Sequence, residues 1–100
     1  MREHEYVISF VAINALDLDG DEGERLDRAL HHMPGIRAVG NVRCDADART
    51  LMASFAIPVA QAMAEAARDG GRLAKEILLS ARIPDARLVE MTVQMSDPAH

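Results

Sequence analysis

The run Ile36-Arg37-Ala38-Val39-Gly40-Asn41-Val42-Arg43-Cys44, the four residues Asp45-Ala46-Asp47-Ala48, and the run Thr50-Leu51-Met52-Ala53-Ser54-Phe55-Ala56-Ile57 decide how this chain folds. Four turn-tolerant residues between two apolar runs read as a β-hairpin. In the second run Leu51, Ala53, Phe55 and Ile57 point one way and Met52, Ser54 and Ala56 the other, which is the period of a strand. Pro58 cannot donate to a ladder, so regular pairing is expected to end near it.

A helical pattern flanks the hairpin on each side. Upstream, Leu26, Ala29, Leu30 and Met33 recur at i, i+3, i+4 and i+7, the stripe of one helix face. Asp21 stands as its N-cap, Glu22 and Glu24 put negative charge at the positive end of the helix dipole, and Pro34-Gly35 stops it. Downstream, Met63, Ala66, Ala67, Gly70, Leu73, Ala74, Ile77 and Leu78 mark a helix over 62–80. A glycine pair inside a helix costs about 1 kcal/mol per residue against alanine. Gly70 lies on the apolar stripe, which predicts a close approach of helix to sheet; two short helices broken at 69–71 are the alternative.

The outermost segments are strands. Tyr6 to Ile13 is a nearly continuous apolar run rich in β-branched and aromatic residues, which suits a buried strand. After the turn Ile83-Pro84-Asp85, Leu88 to Met95 alternates, with Val89, Met91, Val93 and Met95 on one face and Glu90, Thr92 and Gln94 on the other. Residues 96–100 form a polar tail expected to fray.

The order βαββαβ has one common compact solution, an α+β sandwich with a four-stranded antiparallel sheet and both helices on one face. Right-handed crossovers put the first and third strands in the centre and the fourth and second at the edges. Over 6–95 the chain resembles the ferredoxin-like superfold, and Met33-Pro34-Gly35-Ile36 looks like a junction many of its members use. The resemblance is one of pattern, points to no particular family, and implies nothing about activity. The helix-facing core is expected to hold Ile8, Phe10, Ala38, Val42, Leu51, Ala53, Phe55, Ile57, Val89, Met91 and Val93. Both faces of the first strand are apolar, so its orientation stays open.

One hundred residues make a single domain, taken as 1–100 with order over about 5–96, and half of them are apolar. The net charge is −5 and the aromatics are Tyr6, Phe10 and Phe55 alone, a poor basis for stacking on nucleic acid. Cys44 is the only cysteine, so no disulfide framework can form within the chain. No stretch reads as a signal peptide or approaches the ~20 apolar residues of a membrane span. The expectation is a cytoplasmic protein with neither a nucleic-acid nor a membrane partner. Arginine far exceeds lysine and alanine abounds, the bias a GC-rich bacterial genome writes.

Helices on one side leave the other side of the sheet uncovered. That open face should carry Val7, Ser9, Val11, Ile13, Val39, Asn41, Arg43, Met52, Ser54, Ala56, Leu88, Glu90, Thr92 and Gln94. Water-facing sheets usually alternate cleanly, whereas this one keeps apolar residues outward. A contiguous apolar patch marks an interaction surface. The binding candidates are Val7, Val11, Val39, Met52, Ser54, Leu88 and Glu90, and the expected partner is a second copy or another protein.

Other chemistry reads weakly. Asp17-Leu18-Asp19-Gly20-Asp21 resembles the opening of a calcium loop, but Glu22 stands where glycine is needed and Arg28 where a bidentate glutamate belongs. His31 and His32 point about 100° apart on a helix and cannot chelate as an i, i+4 pair would. Cys44 has no CxxC partner and lies beside Asp45 and Asp47, a poor setting for a nucleophile. The acidic stretch 17–24 would repel a phosphate despite Gly20 and Gly23. Asp17, Asp19 and Gly20 sit where regulatory amino-acid-binding domains of this superfold hold ligands, as any capping loop would. No metal, cofactor or catalytic residue is assigned. The reading is a non-enzymatic, self-associating or partner-binding module. The alternatives are a cofactor-free dimeric enzyme acting on a small organic molecule, using Glu90, Asn41 or Ser54, and a small-ligand regulatory domain.

Overall fold

The computed structural model describes residues 4–39, 41–60 and 62–96. The chain runs β1 (His4–Asn14), α1 (Glu22–His32), β2 (Arg37–Ala38), β3 (Arg43–Asp45), β4 (Thr50–Ala60), α2 (Met63–Ser80) and β5 (Ala86–Ser96). The sheet is antiparallel, in the order β2-β4-β1-β5, with β3 also paired to β4. The pattern is ferredoxin-like, but the sheet has five strands rather than the four expected.

The fifth strand arises because the expected second strand is interrupted. Ala38 pairs with Phe55 and Arg43 with Met52, so between these two pairs β4 has only Ala53 and Ser54, two residues fewer than the other segment. Two extra residues are an even number, so β2 and β3 keep their side chains on matching faces. The hairpin turn also falls one residue later than expected: Asp45 is the last residue of β3 and pairs with Thr50. Its carboxylate accepts the N–H groups of Asp47 and Ala48, which tightens the turn.

The ambiguity of β1 is resolved by packing. Tyr6, Ile8, Phe10 and Ala12 are buried with Leu51, Ala53, Phe55 and Ile57 of β4, beneath Leu26, Ala29 and Leu30 of α1 and Leu73, Ala74, Ile77 and Leu78 of α2. The rings of Phe10 and Phe55 lie 6.2 Å apart at 59° in the middle of this core, a favourable tilted arrangement. Helix α2 is continuous through Gly70-Gly71. Gly70 is buried against β1, the close approach its place on the stripe predicts.

Regular pairing breaks at Pro58 as expected: the ladder slips there, passing from Tyr6↔Ile57 to His4↔Ala60, while β4 itself continues. Two local expectations are corrected. On β5 the register passes from Val11↔Glu90 to Ala12↔Leu88, so Val89 is an extra residue of a β-bulge. Val89 is 47% exposed instead of in the core, and Leu88 packs against the core instead of lying on the open face. Asp21 occupies the N-cap of α1 without a side-chain cap bond; the buried Glu22 folds back and accepts the N–H groups of Asp19 and Gly20. The polar tail beyond Ser96 lies outside the described residues.

Candidate functional site

Directly opposed residues of an antiparallel ladder point to the same side, so the register places the open face row by row. The first row crosses Arg87, Ile13, Thr50 and Asp45, the second Glu90, Val11, Met52 and Arg43. The third crosses Thr92, Ser9 and Ser54, and the fourth Gln94, Val7, Ala56 and Arg37. The two middle columns are apolar or small, and the two outer columns are polar or charged.

Of the residues expected on this face, Val7, Val11 and Met52 are half-buried in the middle columns. Ser54 is only 8% exposed. Glu90 is exposed on the β5 margin. Val39 is half-buried but lies off the ladder, between β2 and β3, and Asn41 beside it is exposed. Leu88 belongs to the opposite face. The pattern of residues 36–44 and 88–95 did not reveal Asp45 and Arg87 as members of this surface, because both depend on where the strand irregularities fall.

The serines in the centre of the face satisfy each other: Ser9 Oγ and Ser54 Oγ are 2.8 Å apart. Arg37 and Glu5 form an ion pair that reaches from β2 across β4 to β1, on the face where Ala56 has no exposed surface left. The Asp45 carboxylate is engaged in its turn, whereas among the described residues Arg43, Arg87 and Glu90 make no ion pair, and all three are exposed.

The other features singled out in the sequence have local structural tasks. The Asp19 carboxylate accepts the Asp21 N–H at 2.9 Å and lies 3.5 Å from Arg25. The Asp21 hydrogen bond, with Glu22 and Arg25 adding to it, holds the Asp19 carboxyl below its ordinary value. His31 and His32 each place Nδ1 2.8 Å from the backbone carbonyl four residues earlier, Asp27 and Arg28 respectively. Cys44 points to the helix side of the β3 margin, near Gly23 of α1. Partial burial, and after it the charge of Glu22, push its thiol up, which disfavours the nucleophilic thiolate.

Comparison of the chain with protein-family models, curated proteins and solved structures found no match.

Proposed function

We propose that this chain is a non-enzymatic self-associating module that stacks the open face of its sheet on that of a second copy. The carrying observation is the charge pattern of the rows. A two-fold axis parallel to the strands, midway between β1 and β4, turns each row onto itself in reverse. Glu90 then lies over the partner's Arg43, and Arg87 over the partner's Asp45. Each contact occurs twice in a symmetric dimer, giving four complementary pairs around an apolar centre of Val7, Val11, Ile13 and Met52. An axis perpendicular to the strands and centred on the Ser9–Ser54 row would instead set Arg43 over the partner's Arg37. The pattern thus supports one two-fold arrangement over the other.

Energetics support the same reading. Burying a hydroxyl without a partner costs about 1–3 kcal/mol, and the Ser9–Ser54 pair avoids much of that cost. Marginal charges then fix the register more than they add affinity. Four strands at ~4.8 Å spacing and about nine residues at ~3.3 Å rise make a face on the order of 600 Å². That lies below the ~800 Å² per partner of a standard interface, and fits a reversible dimer with Kd on the order of micromolar. A lone cysteine without a disulfide partner fits a reducing compartment such as the cytoplasm; among the described residues no helix is long and apolar enough to cross a membrane.

Nothing favours the enzymatic alternative. Glu90, Asn41 and Ser54 line neither of the clefts that open beside the helices. Light scattering tests the proposal: a dimer mass is expected at tens-of-micromolar concentration, and Val11→Glu with Met52→Glu should return the mass to one chain. A wild-type mass of one chain throughout that range overturns it.

A further inference from the structure

On the helix side of the molecule, a cleft of about 420 Å³ opens between α1 and the end of α2, lined by Arg25, Arg28, His32, Ser80 and Arg82 together with Ala29 and Ala81. Ligand pockets span roughly 300–1,000 Å³. Three guanidinium groups gather here in a chain whose net charge is −5.

Arginines beside a helix C-terminus ordinarily need no further explanation, because they satisfy its free carbonyls. That account covers Arg25 alone. Its Nε donates to Ala81 O at 2.8 Å and its Nη1 lies 3.5 Å from Asp19. Three further terminal carbonyls are satisfied by backbone: Ile77 O accepts from Ala81 N, Leu79 O from Arg82 N, and Leu78 O from Ile83 N. Arg28 and Arg82 make no ion pair among the described residues. Both are exposed, so their guanidinium groups are accessible to a ligand in the cleft.

The backbone positions the third arginine. Those cap bonds form a Schellman motif, and its left-handed position is held by Arg82 at φ 62°. Glycine is the usual residue there because a side chain is strained in that conformation. This turn sets Arg82 on the wall of the cleft. His32 adds to the wall: its Nδ1 is engaged with Arg28 O, so Nε2 remains free to meet a ligand oxygen.

We propose that this cleft binds a small molecule through a phosphate group. Arg28 and Arg82 grip the phosphate oxygens, since the guanidinium fork matches their geometry. Arg25, fixed to Ala81 O, shapes the wall, and the Ser80 hydroxyl and His32 Nε2 lie among the lining groups. The site is far from the open sheet face and independent of self-association.

Amide chemical shifts followed by NMR, on the full chain titrated with inorganic phosphate and then pyrophosphate at constant ionic strength, test this. Saturable shifts at Arg28, Ser80 and Arg82 are expected, with pyrophosphate the tighter ligand. Arg28→Gln should weaken binding by about tenfold, whereas Arg72→Gln, at an exposed helix position, should not. Arg82→Gly is the sharper variant: it should lose affinity while melting a few degrees higher, because glycine relieves the strained turn. Shifts that fail to saturate at millimolar concentration overturn the proposal, as does binding unaffected by either Arg28→Gln or Arg82→Gly.

Discussion

A β-carbon placed on Gly70 would lie 2.9 Å from Ile8 Cδ1, 3.1 Å from its Cγ1 and 3.2 Å from its Cγ2. The contact joins the middle of α2 to β1, at a residue with no exposed surface. Ile8 is branched at Cβ and held by the core, so it cannot swing aside.

Gly70→Ala should therefore destabilise the fold by about 1–3 kcal/mol, overpacking outweighing the gain in helix propensity. Its neighbour supplies the contrast. Nothing lies within 4 Å of a β-carbon on Gly71, so Gly71→Ala should stabilise by up to about 1 kcal/mol. Urea denaturation of the two variants reads both; equal effects of the same sign would contradict this packing.

The symmetric arrangement proposed for the dimer predicts rescue in trans. Arg43→Glu sets two glutamates against each other twice, and Glu90→Arg does the same with two arginines, so each variant alone should be monomeric. Mixed in equal amounts they should form a heterodimer in which both pairs carry opposite charges again. Native mass spectrometry resolves the species. A dimeric wild type whose two variants never combine would reject this axis while leaving self-association itself intact.

The bulge on β5 predicts an inversion of adjacent positions. Leu88→Ala should cost about 2 kcal/mol or more because Leu88 packs against the core. Val89→Ala should fall within about 0.5 kcal/mol of wild type, since Val89 is an exposed bulge residue. Thermal denaturation of both variants compares them, and a larger loss at Val89 would refute the register.

Asp19 predicts part of the acid response. Its folded-state carboxyl is held below the ordinary value, so the folded chain binds fewer protons there than the unfolded chain. Its stabilising contribution is present above the unfolded value and fades as the pH falls through the folded one. Asp19→Asn should therefore lose less Tm than wild type between about pH 5 and about pH 2. An unchanged slope over that window would remove Asp19 from the account.

Much of this architecture is legible in the residues. The two helical stripes, the stop at Pro34-Gly35 and the alternation of 50–57 yield the element order, because each obeys one period without competition. What fails is counting across irregularities. Leu88 and Val89 are adjacent apolar residues, and either could begin the inward alternation, so one bulge exchanges their places. Residues 36–44 read as one strand because periodicity is blind to an even insertion at 39–42. The same two irregularities hid the opposition of Arg43 to Glu90 and of Asp45 to Arg87 across the open face. The cationic cleft was illegible for another reason: Arg25 and Arg82 are brought together only by the packing of α1 against the end of α2.

The irregular strands also bear on the proposed self-association. An outer strand with a straight row of free backbone groups recruits further strands, and repeated recruitment builds a fibre. Here one margin of the sheet is broken into the short pieces β2 and β3, and the other carries the Val89 bulge. The β2–β3 margin offers no long template for a neighbour's backbone, and on the β5 margin the bulge confines the regular stretch to Glu90–Ser96. A molecule that joins only through a face related to itself by a two-fold axis exhausts that face in a single encounter. In the proposed dimer that face is used up at two copies.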